Sequence, residues 1–490
     1  MTLSTRASTS TRASTQARGA LRIAGRETGP EEPWQVVVAD PATGTEFARL
    51  TGGGLAEARR AVDAASSALA GWEDTPAADR AAALRRIADD LLDPAVADDL
   101  AVVISRETGK RLAEAEAEVR MSAGFFRWFA DAVTGRSDRL WNVVPGISHH
   151  VRRRALGVVA VVTPWNFPVS IPARKLAAAL AAGCTAVFKP SQVAPLSGLI
   201  LAEIVDRHVP AGALNTVVVP AKVIGEAWIG DPRVRGITFT GSTEVGARIA
   251  AQAAGGMKRT VLELGGNAPF VVLPDADPAS AAAQLMVAKY RNNGQSCIAA
   301  NHAWLPRERF DDYLDAFLDA TGALVLGDPC DPATTLGPLA LPDDPARIAE
   351  VADRAEASGA RVHRFGGAVP ERGFFAPPVV VVRPGLDAPA VRCESFGPAL
   401  AVLAYDDPEE VLRATRGLDH GLAGYVCGAD THRAAAFARR LDVGIVGVNT
   451  GTPNTPHVPF AGLKQSGVGT EGGHAGLEEF LSHQTVAVAG

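Results

Sequence analysis

Apolar residues recur along the chain in a rhythm that predicts two blocks of alternating strands and helices. In the first block, short apolar runs predict strands at 157–163, 185–189, 215–220, 236–241 and 260–264. The stretches between them have helical character, at 173–182, 198–208, 222–228 and 244–254. After Gly265-Gly266 the pattern restarts, with expected strands at 269–273, 379–383, 400–405 and 444–449. Such alternation is typical of parallel sheets covered by helices on both faces.

The chain ahead of these blocks predicts a strand pair within residues 34–50, followed by Ala-rich helices. The aromatic residues of 125–129 stand at helical spacing and are interpreted as core rather than as a ligand-binding cluster. Segments 140–154 and 482–489 alternate weakly outside both blocks and are candidate strands of an oligomer contact. His149 and His150 would point to opposite faces of such a strand, so we expect no metal site there.

Residues 1–18 differ from the rest of the chain. The hexapeptide STRAST occurs twice in tandem, no acidic residue precedes Glu27, and almost nothing apolar is present to be buried. Such a segment is typical of a disordered tail. An acid-free, Arg/Ser/Thr-rich start also resembles a transit peptide. We favour the simple tail, and the lack of an apolar stretch argues against secretion.

The composition of the chain argues against several classes of protein. A chain of 490 residues is long enough for several domains. Its net charge of −6 argues against a nucleic-acid or polybasic membrane surface. No apolar run has the length of a membrane span. The cysteines are five, an odd number, widely spread and without a CxxC pair. This usage indicates a reducing, cytoplasmic environment rather than a disulfide framework or a metal site.

One cysteine stands in a context that suits catalysis. Cys297 follows the polar sequence Arg291-Asn-Asn-Gly-Gln-Ser, interpreted as a loop that opens a helix. We expect such a position to expose the sulfur and to lower its pKa. The other four cysteines have the contexts of small buried hydrophobic residues.

A nucleophilic thiolate needs a base and a donor for the oxyanion. Glu263 stands between apolar residues at the end of an expected strand, where burial would raise its pKa toward that of a general base. Asn166 lies between two prolines after the first strand of the first block, and its carboxamide is a suitable oxyanion donor. Taken singly, these features are also compatible with a solvated strand end and a rigid turn.

Residues 240–246 follow a strand and open a helix, which suits an anion at the helix N-terminus. Their glycines have the spacing GxxxxG rather than GxGxxG, and no Walker A lysine follows. Lys189 ends a neighbouring strand and is expected at the same edge of the sheet.

Together these segments resemble the aldehyde dehydrogenase superfamily, from about residue 34 to residue 488. The motifs that carry the resemblance occur in the family's order: Glu107-Thr-Gly-Lys110, Pro164-Trp-Asn-Phe-Pro168, Lys189-Pro-Ser191, Phe239-Thr-Gly-Ser-Thr243, Leu262-Glu-Leu-Gly-Gly266, Gly294-Gln-Ser-Cys297, Glu394-Ser-Phe-Gly-Pro398 and Pro459-Phe-Ala-Gly-Leu-Lys464. The resemblance implies an α/β fold with two Rossmann-like parallel-sheet domains and a small strand element for oligomerisation. The implied division is a cofactor-binding domain at 33–138 and 155–264, a catalytic domain at 265–464, and an oligomerisation element at 139–154 and 476–490.

The resemblance also implies roles. Cys297 would attack the aldehyde, Asn166 would hold the oxyanion, and Glu263 would activate water against the thioester. The implied partners are an aldehyde, NADP or NAD, and further copies of the chain in a homodimer or homotetramer. The residues implied to contact the cofactor are Thr163, Trp165, Lys189, Ser191, Gln192, Gly225, Gly241, Ser242, Leu264, Glu394 and Phe396.

Within the superfamily the chain is most similar to succinate-semialdehyde dehydrogenases. Arg174 and Arg291 match two arginines that bind the substrate's distal carboxylate in those enzymes, and bidentate pairing is the physical reason. Phe460 belongs to the matching C-terminal loop. A serine that often precedes this Pro-Phe pair is absent here, so Asn454 or Thr455 is expected to replace it.

Gln192 stands where NAD-preferring relatives carry a glutamate, which favours tolerance of NADP. Several alternatives remain open. The substrate could be another semialdehyde, such as that of glutarate or 2-oxoglutarate, or a general aldehyde. A catalytically silent relative would lack Cys297, Glu263 or Asn166. A CoA-acylating relative would lack Glu263.

Overall fold

The computed structural model describes residues 19–135, 138–365, 367 and 369–490, so the predicted tail at 1–18 lies outside the described residues. The strands are β1 Leu21–Ile23, β2 Arg26–Glu27, β3 Trp34–Asp40, β4 Thr45–Gly52, β5 Arg139–Val144, β6 Ile147–Ala155, β7 Val158–Val162, β8 Thr185–Lys189, β9 Leu214–Val217, β10 Val234–Thr240, β11 Arg259–Glu263, β12 Ala268–Val272, β13 Ala300–Pro306, β14 Arg361–Arg364, β15 Val379–Val382, β16 Ala399–Tyr405, β17 His420–Gly421, β18 Ala423–Cys427, β19 Ile445–Val448, β20 Leu463–Lys464, β21 Gly467–Val468 and β22 Leu481–Ala489. The α-helices are α1 Leu55–Glu73, α2 Ala77–Leu91, α3 Pro94–Thr108, α4 Leu112–Thr134, α5 Ser170–Ala182, α6 Pro195–Asp206, α7 Thr243–Ala254, α8 Pro278–Tyr290, α9 Phe310–Gly322, α10 Asp344–Ala357, α11 Pro389–Arg392, α12 Pro408–Arg416, α13 Thr431–Ala438 and α14 Gly473–Glu478.

The first large sheet has eight strands in the order β2-β1-β9-β8-β7-β10-β11-β21. Its five central strands, β7 to β11, are parallel, which confirms the strands expected in the first block. Antiparallel strands close both edges, β1 with β2 at one and β21 at the other. The chain proceeds from β7 to one side and returns at β10 on the other side. Ligands bind beside such a reversal of strand order in open α/β sheets.

The second large sheet has seven strands in the order β14-β15-β16-β13-β12-β18-β19, all parallel except β14. The four strands predicted in the second block are β12, β15, β16 and β19. Two central strands, β13 and β18, were not predicted. Strand β13 contains Asn301 and His302, both buried, and these polar residues interrupt the apolar run by which a central strand is recognised.

The N-terminal part forms the predicted hairpin of β3 and β4 and a group of helices that pack together and against α5. The aromatic residues Phe125, Phe126 and Phe129 of α4 are buried in this core, as the helical spacing predicted. A third, antiparallel sheet has the order β22-β6-β5 and comes from the two segments expected outside both blocks. No helix among the described residues is long and apolar enough to cross a membrane.

Candidate active site

The carboxyl ends of the parallel strands of the first sheet bring the predicted residues to one edge. Thr163 follows β7, Lys189 ends β8, and Glu263 ends β11. The segment Gly241-Ser242 follows β10, and the backbone N–H of Gly241 donates to the carbonyl of Glu263 at 3.1 Å. The residues predicted from separate motifs therefore lie along one edge of the sheet.

Cys297 lies in a turn immediately before β13, so the prediction that its loop opens a helix was wrong. Asn292 and Asn293 adopt left-handed backbone conformations, with φ of 53° and 58°, and end the helical course of the chain after α8. Asparagine is among the few residues that tolerate this conformation.

The electrostatic environment of Cys297 also differs from the expectation. The pKa of the thiol is raised to about 12, mainly by burial and also by the charges of Glu394 and Glu263, while Arg174 and Arg291 act in the opposite direction. The predicted lowering of this pKa was therefore wrong, because it considered only the local loop. The thiol is protonated at neutral pH and needs a base.

Asn166 is placed directly beside the loop that carries the thiol. Its side-chain Nδ2 donates to the carbonyl of Gln295 at 3.1 Å. Its backbone carbonyl accepts hydrogen bonds from Lys110 Nζ at 3.0 Å and Asn292 Nδ2 at 2.9 Å. A primary amide has two N–H donors, so one remains for an oxyanion.

Glu263 is buried, and neither of its carboxylate oxygens has a hydrogen-bond partner among the described residues. Burial raises its pKa well above the ordinary value, and the charge of Glu471 adds to this effect. The positive charges of Arg174 and Lys175 lower the pKa of Glu263 and so oppose this rise. The raised pKa predicted from the apolar sequence context is thus confirmed, and the direction is that of a general base.

Arg174 is not an isolated guanidinium. Its Nε lies 2.6 Å from Oε2 of Glu471, and both side chains are buried. The neighbouring Lys175 also pairs with Glu471 and donates to Thr238 Oγ1 at 2.9 Å. The guanidinium carbon of Arg174 lies 4.3 Å from the centroid of the Phe460 ring. Arg174 therefore forms an ion pair with Glu471, and its charge also acts on the Cys297 thiol.

Arg291 has a different environment. Its guanidinium carbon lies 5.7 Å from the centroid of the Phe167 ring, and no carboxylate among the described residues lies within ion-pairing distance of it. Its charge still acts on the Cys297 thiol. Of the two arginines, Arg291 has the positive charge that remains available to an anionic ligand.

The loop before Phe460 lies against α4, where Pro456 approaches Gly124. Asn454 is half-buried, and its Oδ1 has no partner among the described residues, whereas Thr455 is exposed and accepts from the backbone N–H of His457 at 3.4 Å. Of these two predicted substrate contacts, only Asn454 holds an unused buried acceptor.

The same edge of the first sheet has features that fit a dinucleotide. Helix α7 begins after Ser242, and no side chain caps its N-terminus, so backbone N–H groups there are free for a phosphate. A Cβ on Gly246 would lie 2.2 Å from Leu264, and one on Gly241 would lie 2.4 Å from the Phe239 ring. Glycine at both positions therefore allows Leu264 and Phe239 to pack directly against the backbone at this end of the sheet.

The predicted adenosine-side residues follow β8 or lie in the segment between β9 and β10. Gly225 begins a short π-helix, Gly225–Ile229. Among the described residues Lys189 Nζ donates only to the carbonyl of Pro190, and burial lowers the pKa of Lys189 to about 8. Ser191 accepts from the backbone N–H of Val193 at 3.2 Å, and Gln192 is exposed. Lys189 and Gln192 thus keep donors that a ribose can use.

Glu394 and Phe396 come from the loop that precedes β16. Burial raises the pKa of Glu394 to about 8, and its Oε1 is a buried acceptor without a partner among the described residues. Phe396 has a φ of 42°, and its ring meets that of Trp165 edge to face at 5.6 Å. An unpaired acceptor beside two aromatic rings suits a ribose and a nicotinamide. Among the described residues, no group of three His, Cys, Asp or Glu side chains is arranged to hold a metal ion.

Comparison with known proteins identifies the family. The sequence profile of the aldehyde dehydrogenase family matches residues 29–486. The chain belongs to the aldehyde dehydrogenase family. This aldehyde dehydrogenase is 37% identical over 460 residues to the glutarate-semialdehyde dehydrogenase of Pseudomonas putida, covering 93% of this chain and 94% of that protein.

Two further relatives support the assignment. The succinate-semialdehyde dehydrogenase (NADP(+)) GabD of Escherichia coli K12 is 38% identical over 453 residues, which are 91% of this chain and 92% of that one. The crystal structure of succinate-semialdehyde dehydrogenase from Burkholderia pseudomallei superposes with a TM-score of 0.92 at 36% identity, covering 96% of this chain and 98% of that one. The dehydrogenase has the α/β fold expected of its family, whose members use NAD or NADP.

Sequence reasoning missed the buried charges around the site. Glu471 stands among glycines in a segment without periodicity, so no pattern distinguished it. Lys175 and Lys289 are both buried within helices. A lysine at an inward position of an otherwise apolar helix is the signal that could have found them.

Proposed function

We propose that this dehydrogenase oxidises an aldehyde that carries a distal carboxylate, with succinate semialdehyde as the preferred substrate, to the corresponding acid. The observation that carries the proposal is the pair of guanidiniums, Arg174 and Arg291, whose charges both act on the Cys297 thiol. Arginine binds carboxylates through two parallel hydrogen bonds, and a neutral aldehyde would form no such pair with either guanidinium.

In the proposed reaction the Cys297 thiol loses its proton to Glu263, and the sulfur forms a bond with the aldehyde carbon. The oxyanion accepts hydrogen bonds from Asn166 Nδ2 and from the backbone N–H of Cys297. The nicotinamide cofactor supplies the hydride acceptor, so the aldehyde carbon is oxidised by two electrons to a thioester. Glu263 passes the thiol proton to solvent and then takes a proton from water as the water attacks the thioester, and it returns that proton to the sulfur of Cys297. The C–S bond breaks, and the acid leaves.

The cofactor is proposed to be NADP or NAD, with preference for NADP. The pyrophosphate would lie at the N-terminus of α7, at Ser242, and the nicotinamide ribose at Glu394. Gln192 is neutral, so it opposes a 2′-phosphate less than a glutamate would. The name of the E. coli relative states NADP(+), which supports the same preference.

The two large sheets are proposed to belong to domains with different functions. We propose that residues 33–138 and 155–264 bind the cofactor and that residues 265–464 carry the catalytic cysteine. The first sheet also takes strands from outside this division, β1 and β2 before residue 33 and β21 after residue 464. All five cysteines are free, which supports a reducing compartment, and we propose the cytoplasm.

The antiparallel sheet β22-β6-β5 is proposed as the contact between copies of the chain in a homodimer or homotetramer. It exposes apolar side chains that a monomer would leave in water: Leu140, Trp141, Val143, Val486 and Val488. Light scattering on the wild type and on Val143→Lys tests this. A wild type that is already monomeric would contradict it.

Glutarate semialdehyde is the second candidate, because the P. putida relative takes its name from that aldehyde. Values of kcat/KM for succinate, glutarate and 2-oxoglutarate semialdehydes, measured beside the uncharged butanal and pentanal, test both candidates. The proposal expects a charged aldehyde to exceed its uncharged counterpart by at least tenfold, as roughly one charge-assisted contact provides. Equal values for charged and uncharged aldehydes would contradict it. Formation of acyl-CoA on addition of CoA would contradict the role of Glu263.

A further inference from the structure

The motif Glu107-Thr-Gly-Lys110 has no part in the reaction described above. It lies where helix α3 ends, and Gly109 follows that helix with a left-handed φ of 75°. Lys110 is buried, and its ammonium group pairs with the buried carboxylate of Glu118 on α4. A buried ion pair costs desolvation, and apolar residues of similar volume often stabilise a protein as well or better. The position of this pair therefore needs a reason other than stability.

The pair holds the turn that carries Asn166, the proposed oxyanion donor. Lys110 Nζ donates to the backbone carbonyl of Asn166 at 3.0 Å. Glu118 Oε1 accepts the backbone N–H groups of Val169 at 2.9 Å and Ser170 at 3.0 Å, where α5 begins. The two side chains of the pair thus hold both ends of this turn.

The turn of Asn166 is also connected to the loop that carries the nucleophile. Asn292 Nδ2 donates to the carbonyls of Asn166 and Gln295, in both cases at 2.9 Å. The next residue, Asn293, donates from its Nδ2 to the carbonyl of Gly109 at 2.9 Å. These residues are all buried. The motif, the oxyanion turn and the loop before the catalytic thiol therefore form one hydrogen-bonded group.

The position of the Asn166 carboxamide decides whether it can serve an oxyanion. A donor must point to where the charge develops, and a displacement of about 1 Å can lower the rate about a hundredfold. In the part of the chain that the structure describes, the backbone carbonyl of Asn166 takes one donor from Lys110 and one from Asn292. Without the ammonium group this carbonyl keeps a donor on the nucleophile side alone, so the turn is free to shift.

We propose that Lys110, paired with Glu118, is a positioning residue that holds the carboxamide of Asn166 in the geometry needed for oxyanion stabilisation. The proposal rests on the proposed function, in which Asn166 Nδ2 donates to the oxyanion. Lys110 acts through the turn and is not itself a donor to the aldehyde. Loss of its ammonium group lowers kcat and leaves the binding of aldehyde and cofactor nearly unchanged, because an oxyanion donor acts in the transition state.

The test replaces Lys110 by Met, which has nearly the same length and lacks the donor. The values of kcat and KM are measured with an aldehyde that the wild type oxidises, and the Kd of NADP⁺ is measured by tryptophan fluorescence. We expect kcat of Lys110→Met to fall about ten- to a hundredfold, with KM and Kd within about twofold of the wild-type values. Ser122→Ala is the matched control and should keep the wild-type kcat. It removes a buried hydroxyl that donates within α4 to the carbonyl of Glu118, and it leaves the contact of Lys110 with Asn166 intact.

A double variant separates positioning from a folding defect. Lys110→Met alone leaves the carboxylate of Glu118 buried without its cation. Lys110→Met/Glu118→Gln removes the charge pair as a whole and keeps a side-chain oxygen for the N–H groups of Val169 and Ser170. We expect this double variant to unfold near the wild-type temperature and to keep the loss of kcat. Recovery of the wild-type kcat would overturn the proposal, because the pair would then matter only for its charge balance.

A double-mutant cycle with Asn166→Ala shows whether Lys110 acts through the carboxamide. Asn166→Ala keeps the backbone carbonyl that accepts from Lys110 and removes the oxyanion donor, so Lys110→Met should lower kcat little further in that background. An equal loss in both backgrounds, or a wild-type kcat of Lys110→Met beside an impaired Asn166→Ala, would overturn this proposal alone. A wild-type kcat of Asn166→Ala would count against the proposed function as well, since the role of Asn166 would then be wrong.

Discussion

Replacing each of the two arginines near the thiol by alanine should have different consequences. Arg291 has no carboxylate partner among the described residues, so Arg291→Ala should remove a contact that only a charged substrate is proposed to use. A charge-assisted hydrogen bond contributes about 1.5–3 kcal/mol, which corresponds to a loss of roughly ten- to a hundred-fold in kcat/KM. We expect this loss with succinate semialdehyde and almost none with butanal.

Arg174 contacts Glu471 at 2.6 Å, so Arg174→Ala leaves a buried carboxylate with Lys175 as its remaining cation. Removing one partner of a buried ion pair typically costs about 3–5 kcal/mol, and we expect the lower end here because Lys175 stays. The pKa of Glu263 should also rise, since Arg174 opposes its protonation. Arg174→Ala should therefore lower kcat/KM for butanal as well, with partial recovery at alkaline pH.

The assay is the steady-state rate of cofactor reduction with both aldehydes, and thermal unfolding shows whether each variant folds. Arg354→Ala is a suitable control, because this exposed arginine of α10 pairs only with Glu350 at the surface. If Arg291→Ala lowered kcat/KM equally for succinate semialdehyde and butanal, the proposal that Arg291 binds the substrate carboxylate would be refuted. If Arg174→Ala spared butanal completely, the ion pair with Glu471 would have no part in the function of Glu263.

Further variants test the remaining roles. Cys297→Ala should abolish oxidation and leave the Kd of NADP⁺ unchanged in a fluorescence titration, and more than trace turnover would require another nucleophile. Glu263→Gln should slow the first turnover as well as the later ones in stopped-flow absorbance, because Glu263 takes the thiol proton and later a proton from water, and a burst of reduced cofactor at the wild-type rate would contradict the first of these roles. Gln192→Glu should lower the NADP/NAD ratio of kcat/KM, because like charges in a cleft cost on the order of a few kcal/mol, and an unchanged ratio would mean that residue 192 does not face the ribose. For the wild type, kcat/KM should rise from about pH 6 to about pH 9, because burial raises the pKa of Cys297, and a profile that falls with pH would contradict this.

The five central strands of the first sheet, β7 to β11, could be predicted because each contains or adjoins a short apolar run. Strands such as β7 and β8 are buried on both faces, and a continuous apolar run is the pattern that this burial requires. Strand β13 was missed for the opposite reason. Its Asn301 is buried, but the carboxamide binds Asn267 and the loop around Cys393, and such distant partners are invisible in the sequence.

The residues of the candidate site remain a prediction, and only part of their electrostatics could be predicted from the sequence. Glu263 lies between apolar neighbours, and that local context was enough to give the direction of its pKa shift. For Cys297 the local context gave the wrong direction, because the charges of Glu263 and Glu394 and the burial of the thiol come from segments distant in sequence. The pairing of Arg174 with Glu471 joins residues far apart in the chain for the same reason.

The most direct test of the central claim is a competition for acylation of Cys297. Glu263→Gln is incubated at alkaline pH, where solvent takes the thiol proton in place of Glu263, with NADP⁺ and equal amounts of succinate semialdehyde and butanal, and the acyl groups on the peptide containing Cys297 are quantified by mass spectrometry. The proposed function predicts that the succinyl thioester on Cys297 exceeds the butanoyl thioester by at least about tenfold, as one charge-assisted contact provides. Equal amounts of the two thioesters, or acylation of a different cysteine, would contradict it.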